Sequence, residues 1–148
     1  MTFKDTHTLE GYIEFMNVSK FIYALARLRI GATDLNVNKG YTQTEPNVNC
    51  PFCETAENEL HFIRDCPMYG HLRAKYLNPH YDHDNSTTLK SYFCPADLEA
   101  LKVLAQYTHH ALRVRREEMT YNKNRVRYTT SHRQVDKYTQ TDIAGDRA

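Results

Sequence analysis

The stretch Cys50-Pro-Phe-Cys53-Glu-Thr-Ala-Glu-Asn-Glu-Leu-His61-Phe-Ile-Arg-Asp-Cys66 gathers three of the chain's four cysteines and one of its eight histidines into a single window. Its spacing is C-x2-C-x7-H-x4-C. Two thiolates three positions apart can chelate one ion from a tight turn, and Pro51 favours such a turn. The residues after Cys53 are expected to start a short helix near Ala56 that delivers His61. Pro67 can redirect the chain directly after Cys66, so the last thiol need not share the helical face of His61. Three sulfurs and one imidazole suit a tetrahedral Zn²⁺, and four filled positions leave none open to water. The expectation is therefore one structural zinc held by Cys50, Cys53, His61 and Cys66. The competing readings are ordinary thiols or a Cys50–Cys53 redox pair. A redox CxxC opens a helix in a βαβ setting, and this chain has no such alternation.

Upstream of the window, Leu9, Tyr12, Ile13 and Met16 recur at helical spacing. Ile22, Leu25, Ala26 and Ile30 repeat the pattern after Ser19, a candidate N-cap. Both stripes read as core-facing, and Gly31 falls where a C′ glycine ends a helix. Asn36–Asn49 is polar and reads as loop. Downstream, Pro67–Leu77 is a short helix with Tyr69, Leu72, Arg73 and Tyr76 spaced along it. Asn78–Ser91 is a second loop. Pro95 opens the strongest helix, whose face is Leu98, Leu101, Leu104, Ala105, Thr108, Ala111 and Leu112 and which is expected to run to about Met119. Beyond Tyr121 the aliphatic anchors thin to Val126, Val135 and Ile143, so disorder or at most a weak hairpin is expected. The fold class is mostly α: residues 1–120 form a helical zinc-knuckle domain with the knuckle at 50–66, and 121–148 form a flexible basic and polar tail. The tetrapeptide Tyr-Thr-Gln-Thr occurs at Tyr41–Thr44 and Tyr138–Thr141, with no physical account beyond the Thr-rich composition.

Within the window and the residues that follow it, Cys50-Pro-Phe-Cys53, Glu59-Leu-His61-Phe-Ile, Cys66-Pro-Met-Tyr69 and Leu72-Arg73 resemble the CCHC zinc-binding module near the C-terminus of LINE-type (non-LTR) retrotransposon reverse transcriptases. Leu28-Arg29-Ile30-Gly31-Ala-Thr-Asp-Leu35 resembles the segment before that knuckle. The likeness spans roughly Ser19–Leu77, and the cysteine spacing is its specific part. It implies nucleic-acid engagement beside a polymerase, with the ligand roles falling on Cys50, Cys53, His61 and Cys66. The polymerase and endonuclease motifs of that family are missing from this sequence. The chain is accordingly read as non-catalytic: a fragment, a remnant or a domesticated derivative.

The 148 residues carry 19 Lys and Arg against 18 Asp and Glu, a formal charge of +1. That near-neutrality hides two opposed segments. Cys50–Cys66 holds one basic residue against four acidic ones, and Ala111–Tyr128 holds six against two; the remainder balances. The basic segment interleaves Arg113, Arg115, Arg116, Lys123, Arg125 and Arg127 with Tyr121 and Tyr128. Guanidinium and ammonium groups grip phosphates and tyrosine rings stack on unpaired bases, so these eight residues are the candidate contacts for single-stranded RNA or DNA. On a helix Arg113 and Arg116 share a face and Arg115 lies off it. The same charges could instead form a solvated helix end or dock on the acidic knuckle. In a second functional class, a zinc-stabilised body presents Tyr and Leu side chains to a polymerase or another protein partner. His80, Asp82, His83 and Asp84 lack a soft fourth ligand and make a poor second metal site. His71 is expected to project from the following helix, away from the zinc. Cys94 is expected to be buried or half-buried, and His109 and His110 to be one exposed and one partly buried. No run of about 18 apolar residues exists, so no membrane span is expected. Met1–Glu10 lacks an apolar signal core, so an intracellular setting, nucleus or cytoplasm, is expected.

Overall fold

The computed structural model describes residues 19–42, 48–82 and 87–141. The Leu9–Met16 stripe, the His83–Asp84 pair, part of the first Tyr-Thr-Gln-Thr and the chain after Thr141 lie outside the described residues. The chain divides into two units, Met1–Leu112 and Arg113–Ala148. Among the described residues there is no strand, only an isolated antiparallel bridge between Asn49 and Ala56.

The first unit opens with α1 (Ser19–Arg29). Ala24, Leu25 and Leu28 face the core, while Ile30, expected in the stripe, is 76% exposed. Ile30 follows the last helical residue, where the chain is already turning away. Gly31 adopts φ +68° and completes a two-bond helix cap. Its N–H donates to the Leu28 carbonyl and the Ala32 N–H to the Arg27 carbonyl, at 3.3 and 2.8 Å. A Cβ at Gly31 would sit 3.2 Å from the Asn38 side-chain oxygen, a second reason for glycine.

The segment read as polar loop contains a 3-10 turn, Asn36–Thr42. The Asn36 N–H donates to the Glu57 carboxylate at 2.6 Å, and Glu57 is 2% exposed. A buried acid from the Cys/His window thus caps a turn 21 residues upstream. Pro67–Tyr69 in 3-10 form, α2 (Gly70–Leu72) and a π turn at Arg73–Leu77 make the helix expected there, in three pitches.

The second segment read as loop carries an unexpected element, α3 (Leu89–Phe93), with Tyr92 and Phe93 buried. Its first turn receives no side-chain cap, so burial of those two rings supports it. The Tyr81 hydroxyl lies 2.8 Å from the Ala100 carbonyl and 3.1 Å from that of Tyr92, joining this region to the last helix.

That helix, α4 (Leu98–Thr141), starts three residues after Pro95. Asp97 is its cap, its Oδ1 accepting the Glu99 N–H at 3.0 Å. Leu101, Leu104, Ala105, Thr108, Ala111 and Leu112 are buried as expected; Leu98, the first residue of the helix, is 47% exposed. His109 and His110 are both half-buried rather than split, His109 edge-on to Phe21 and His110 stacked on Tyr76. In the second unit α4 continues to Thr141, where the sequence placed irregular chain beyond Tyr121. Neither Gly nor Pro occurs between Leu98 and Thr141, so nothing in the backbone stops the hydrogen-bond ladder. Among the described residues, no helix is long and apolar enough to cross a membrane.

Candidate metal centre

The first two cysteines stand on a tight turn whose ends are pinned. The Cys50 N–H donates to the Thr55 carbonyl at 2.7 Å and the Glu54 N–H to the Cys50 carbonyl at 2.9 Å. The Asn49–Ala56 bridge and a 2.7 Å bond from the Glu57 N–H to the Val48 carbonyl close the base. Ala56 is therefore part of the turn's base and not the helix start the sequence suggested; the competing backbone pairing takes it. Glu54 pays for the turn with a left-handed backbone, φ 60°.

Asn58 starts the following helical turn. Its Oδ1 accepts the His61 N–H at 2.8 Å and its carbonyl the Phe62 N–H at 2.9 Å. His61–Asp65 then widens into a π turn, closed by the Cys66 N–H on the His61 carbonyl at 2.8 Å. Residues five apart on an α-helix point about 140° from each other. The wider π turn narrows that angle, and Cys66, extended ahead of Pro67, completes the approach of the two side chains.

The outcome is a cluster in which the ligand atoms of Cys50, Cys53, His61 and Cys66 all lie within 4.8 Å of one another. The Cys50 and Cys66 sulfurs are 3.8 Å apart, and the Cys53 sulfur is 3.3 Å from His61 Nε2. A tetrahedral ion about 2.3 Å from each sulfur would set two of them about 3.8 Å apart. None of the three thiols is in a disulfide. Cys50, His61 and Cys66 are buried and Cys53 half-buried. The four residues can hold a metal ion.

Burial and neighbouring groups move all four donors from their ordinary values. Burial pushes the Cys66 thiol up to about 12, with the neighbouring Cys50 and Cys53 adding to it, and burial also raises Cys50. For Cys53 the desolvation is outweighed by hydrogen bonding from Thr55, Cys50 and Cys66, and the thiol is lowered. Burial lowers His61, against the pull of Asp65 and Glu57, and Arg73 lowers it further. Arg73 donates from Nη2 to the Cys66 carbonyl at 2.6 Å and also acts on the Tyr107 hydroxyl. This guanidinium is a neighbour of the centre that the spacing gave no means of finding. Its sequence signals were its place on the helix after Cys66 and the Leu72-Arg73 pair within the resemblance, neither of which assigned it a role at the centre.

The other candidates fall elsewhere. His71, His80, Asp82 and Cys94 are exposed and stand apart from the cluster, Cys94 more open than expected. Arg113, Arg116, Tyr121, Lys123 and Arg125 are exposed on α4. Arg115 is 1% exposed, which withdraws it from any solvent-facing contact. The side chains of Arg127 and Tyr128 lie outside the described residues. Arg113, Arg116, Glu117, Thr120, Tyr121 and Asn124 share one open face of the helix. On it Arg113 Nε stands 3.6 Å from the Glu117 carboxylate. Set against known proteins, the chain matches no family model, no curated protein and no solved structure.

Proposed function

We propose that the ion is one structural Zn²⁺ and that the chain is a non-catalytic nucleic-acid-binding module, akin to the C-terminal zinc module of LINE-type reverse transcriptases. Three thiolates and an imidazole are the donor set zinc prefers, and four protein ligands leave no position for a reacting water. Beyond fastening the fold, that ion supplies no chemistry.

The observation that carries the binding role is the open face of α4 on which Arg113, Arg116 and Tyr121 lie with Thr120 and Asn124. Guanidinium groups and an open tyrosine ring offer phosphate contact and base stacking together, a combination suited to unpaired RNA or DNA. Glu117 offsets part of the charge through Arg113. The acidic Cys50–Cys66 window is a poor phosphate surface and is left with the structural task.

The test is titration of a labelled single-stranded oligonucleotide across a salt series, for the full chain and for Arg113→Gln/Arg116→Gln. Each phosphate contact on a single strand contributes about 0.7 to the slope of log K against log salt. The double variant is expected to lose affinity and about 1.4 of that slope while keeping its zinc. Unchanged affinity would remove α4 as the contact face. If the full chain binds no oligonucleotide at low salt, the protein-interaction reading takes over.

A further inference from the structure

The sequence reading placed all nucleic-acid contact after Leu112 and treated Ser19–Arg29 as core helix. The structure gives that helix a second face. Ala24, Leu25 and Leu28 are buried on one side. Lys20, Tyr23 and Arg27, spaced i, i+3 and i+7, follow one another along the other, over about 10 Å. Tyr23 is 65% exposed, a large ring left open to solvent on a helix that has core to offer it. The helix contains Lys20, Arg27 and Arg29 and no acidic residue.

Arg27 is held in place. Its Nε donates to the Ala32 carbonyl at 2.6 Å, and its guanidinium lies over one face of the Tyr23 ring, 5.6 Å from its centre, so that a base would stack on the other face. The Ala32 carbonyl is fixed in turn by the Gly31 cap, so the arginine is anchored through one donor while its two Nη groups remain to grip an anion. A fixed guanidinium beside an open aromatic ring, with an ammonium one turn away, matches the alternation of phosphate and base along an unpaired strand.

We propose that the Lys20–Tyr23–Arg27 face of α1 is a second contact surface for single-stranded nucleic acid, with Tyr23 as the stacking platform and Arg27 and Lys20 as phosphate contacts. It rests on the nucleic-acid-binding role proposed above and extends that role to the zinc-bearing unit. An acidic polypeptide would satisfy the charges but has no use for the ring.

The experiment uses the full zinc-loaded chain and labelled unpaired oligonucleotides, oligo(U) and oligo(dT), across a salt series. Variants are Tyr23→Leu, Tyr23→Phe, Lys20→Gln and Arg113→Gln/Arg116→Gln, each checked for zinc content and helicity. Tyr23→Leu keeps apolar bulk and removes the ring; it is expected to weaken binding about tenfold. Tyr23→Phe is expected to bind like the parent. Lys20→Gln should lower the salt slope by about 0.7. If the parent binds and the α4 variant weakens it while every α1 variant binds normally, this inference is overturned and the functional proposal stands. Polyglutamate displacing the oligonucleotide equally well from parent and Tyr23→Leu would also overturn it. A parent that binds neither oligonucleotide overturns the functional proposal and this one with it.

Discussion

Arg73 touches the metal centre without being able to ligate it. Its Nη2 reaches the Cys66 carbonyl at 2.6 Å, and its charge acts on both His61 and Tyr107. Three thiolates around a divalent ion leave a net −1 in a buried place, among Glu57, Asp65 and the other acids of the window. A guanidinium at that distance offsets the charge and holds the Cys66 backbone where its sulfur must sit. Arg73→Gln removes the charge and shortens the reach of the donor. It is expected to weaken zinc binding by about 10- to 100-fold in competition with a chromophoric chelator, the usual range for groups behind a metal ligand. Lys75→Gln is the control, an exposed charge two residues further along the same turn. Equal affinities in the two variants would reduce Arg73 to a packing residue. The clustering of Cys50, Cys53, His61 and Cys66 was legible from spacing alone, because soft donors at chelating intervals have few other uses. Arg73 was not, because its role depends on a fold-back from the next helix that no local pattern announces.

Among the elements, the Leu98 helix shows most sharply where a sequence pattern speaks and where it falls silent. Its buried stripe from Leu101 to Leu112 follows the apolar period, as a tertiary face must. Its length does not follow that period: past Tyr121 the apolar residues run out, yet no Gly or Pro breaks the ladder. Apolar spacing reports burial and not where a hydrogen-bond ladder ends, which Gly, Pro and residue propensity also govern. The π turn at His61–Asp65 and the short α3 were hidden for the opposite reason, since each depends on partners distant in sequence. One such long-range link joins the helix to the metal centre. The Tyr107 hydroxyl donates to the Phe62 carbonyl at 2.6 Å across 45 residues, beside ring contacts from Phe62 to Tyr69 and Tyr107. Tyr107→Phe keeps the ring and leaves a buried carbonyl short of its donor. The expected cost is about 1–3 kcal/mol in denaturant unfolding. Tyr121→Phe, on an exposed ring, is expected to cost nothing measurable. A Tyr107→Phe variant as stable as the parent would show that ring packing alone joins the two elements.

For the molecule as a whole, the question is whether the proposed zinc would fasten the fold or merely occupy it. In the metal-free chain the buried thiols prefer to stay protonated, Cys66 near 12 and Cys50 also raised, so a cation must displace protons to enter. A raised thiol adds stability below its unfolded value of 9.0 and loses it as pH climbs toward 12, so the thiols do not make the metal-free fold sensitive to acid. His61 works in the other direction. Its folded pKa is lowered from 6.5 by burial, so its contribution is present above 6.5 and lost as pH falls through the lowered value. In the loaded protein both effects converge, because protons compete for all four donors at once. Zinc binding is worth about 10–16 kcal/mol in small peptides, against about 5–15 kcal/mol for the stability of a typical domain. Acid should therefore release the ion and unfold the Cys/His region in one transition below pH 6.5, with dye-detected zinc and near-ultraviolet circular dichroism changing together. A strong chelator at pH 7 should reach the same end without acid, collapsing the tyrosine signal and sharply lowering the melting temperature. Retention of the full near-ultraviolet signal and melting temperature after zinc is stripped at neutral pH would mean that the Phe62, Tyr69 and Tyr107 core holds the unit closed on its own. The coordination site would then be a passenger on the fold.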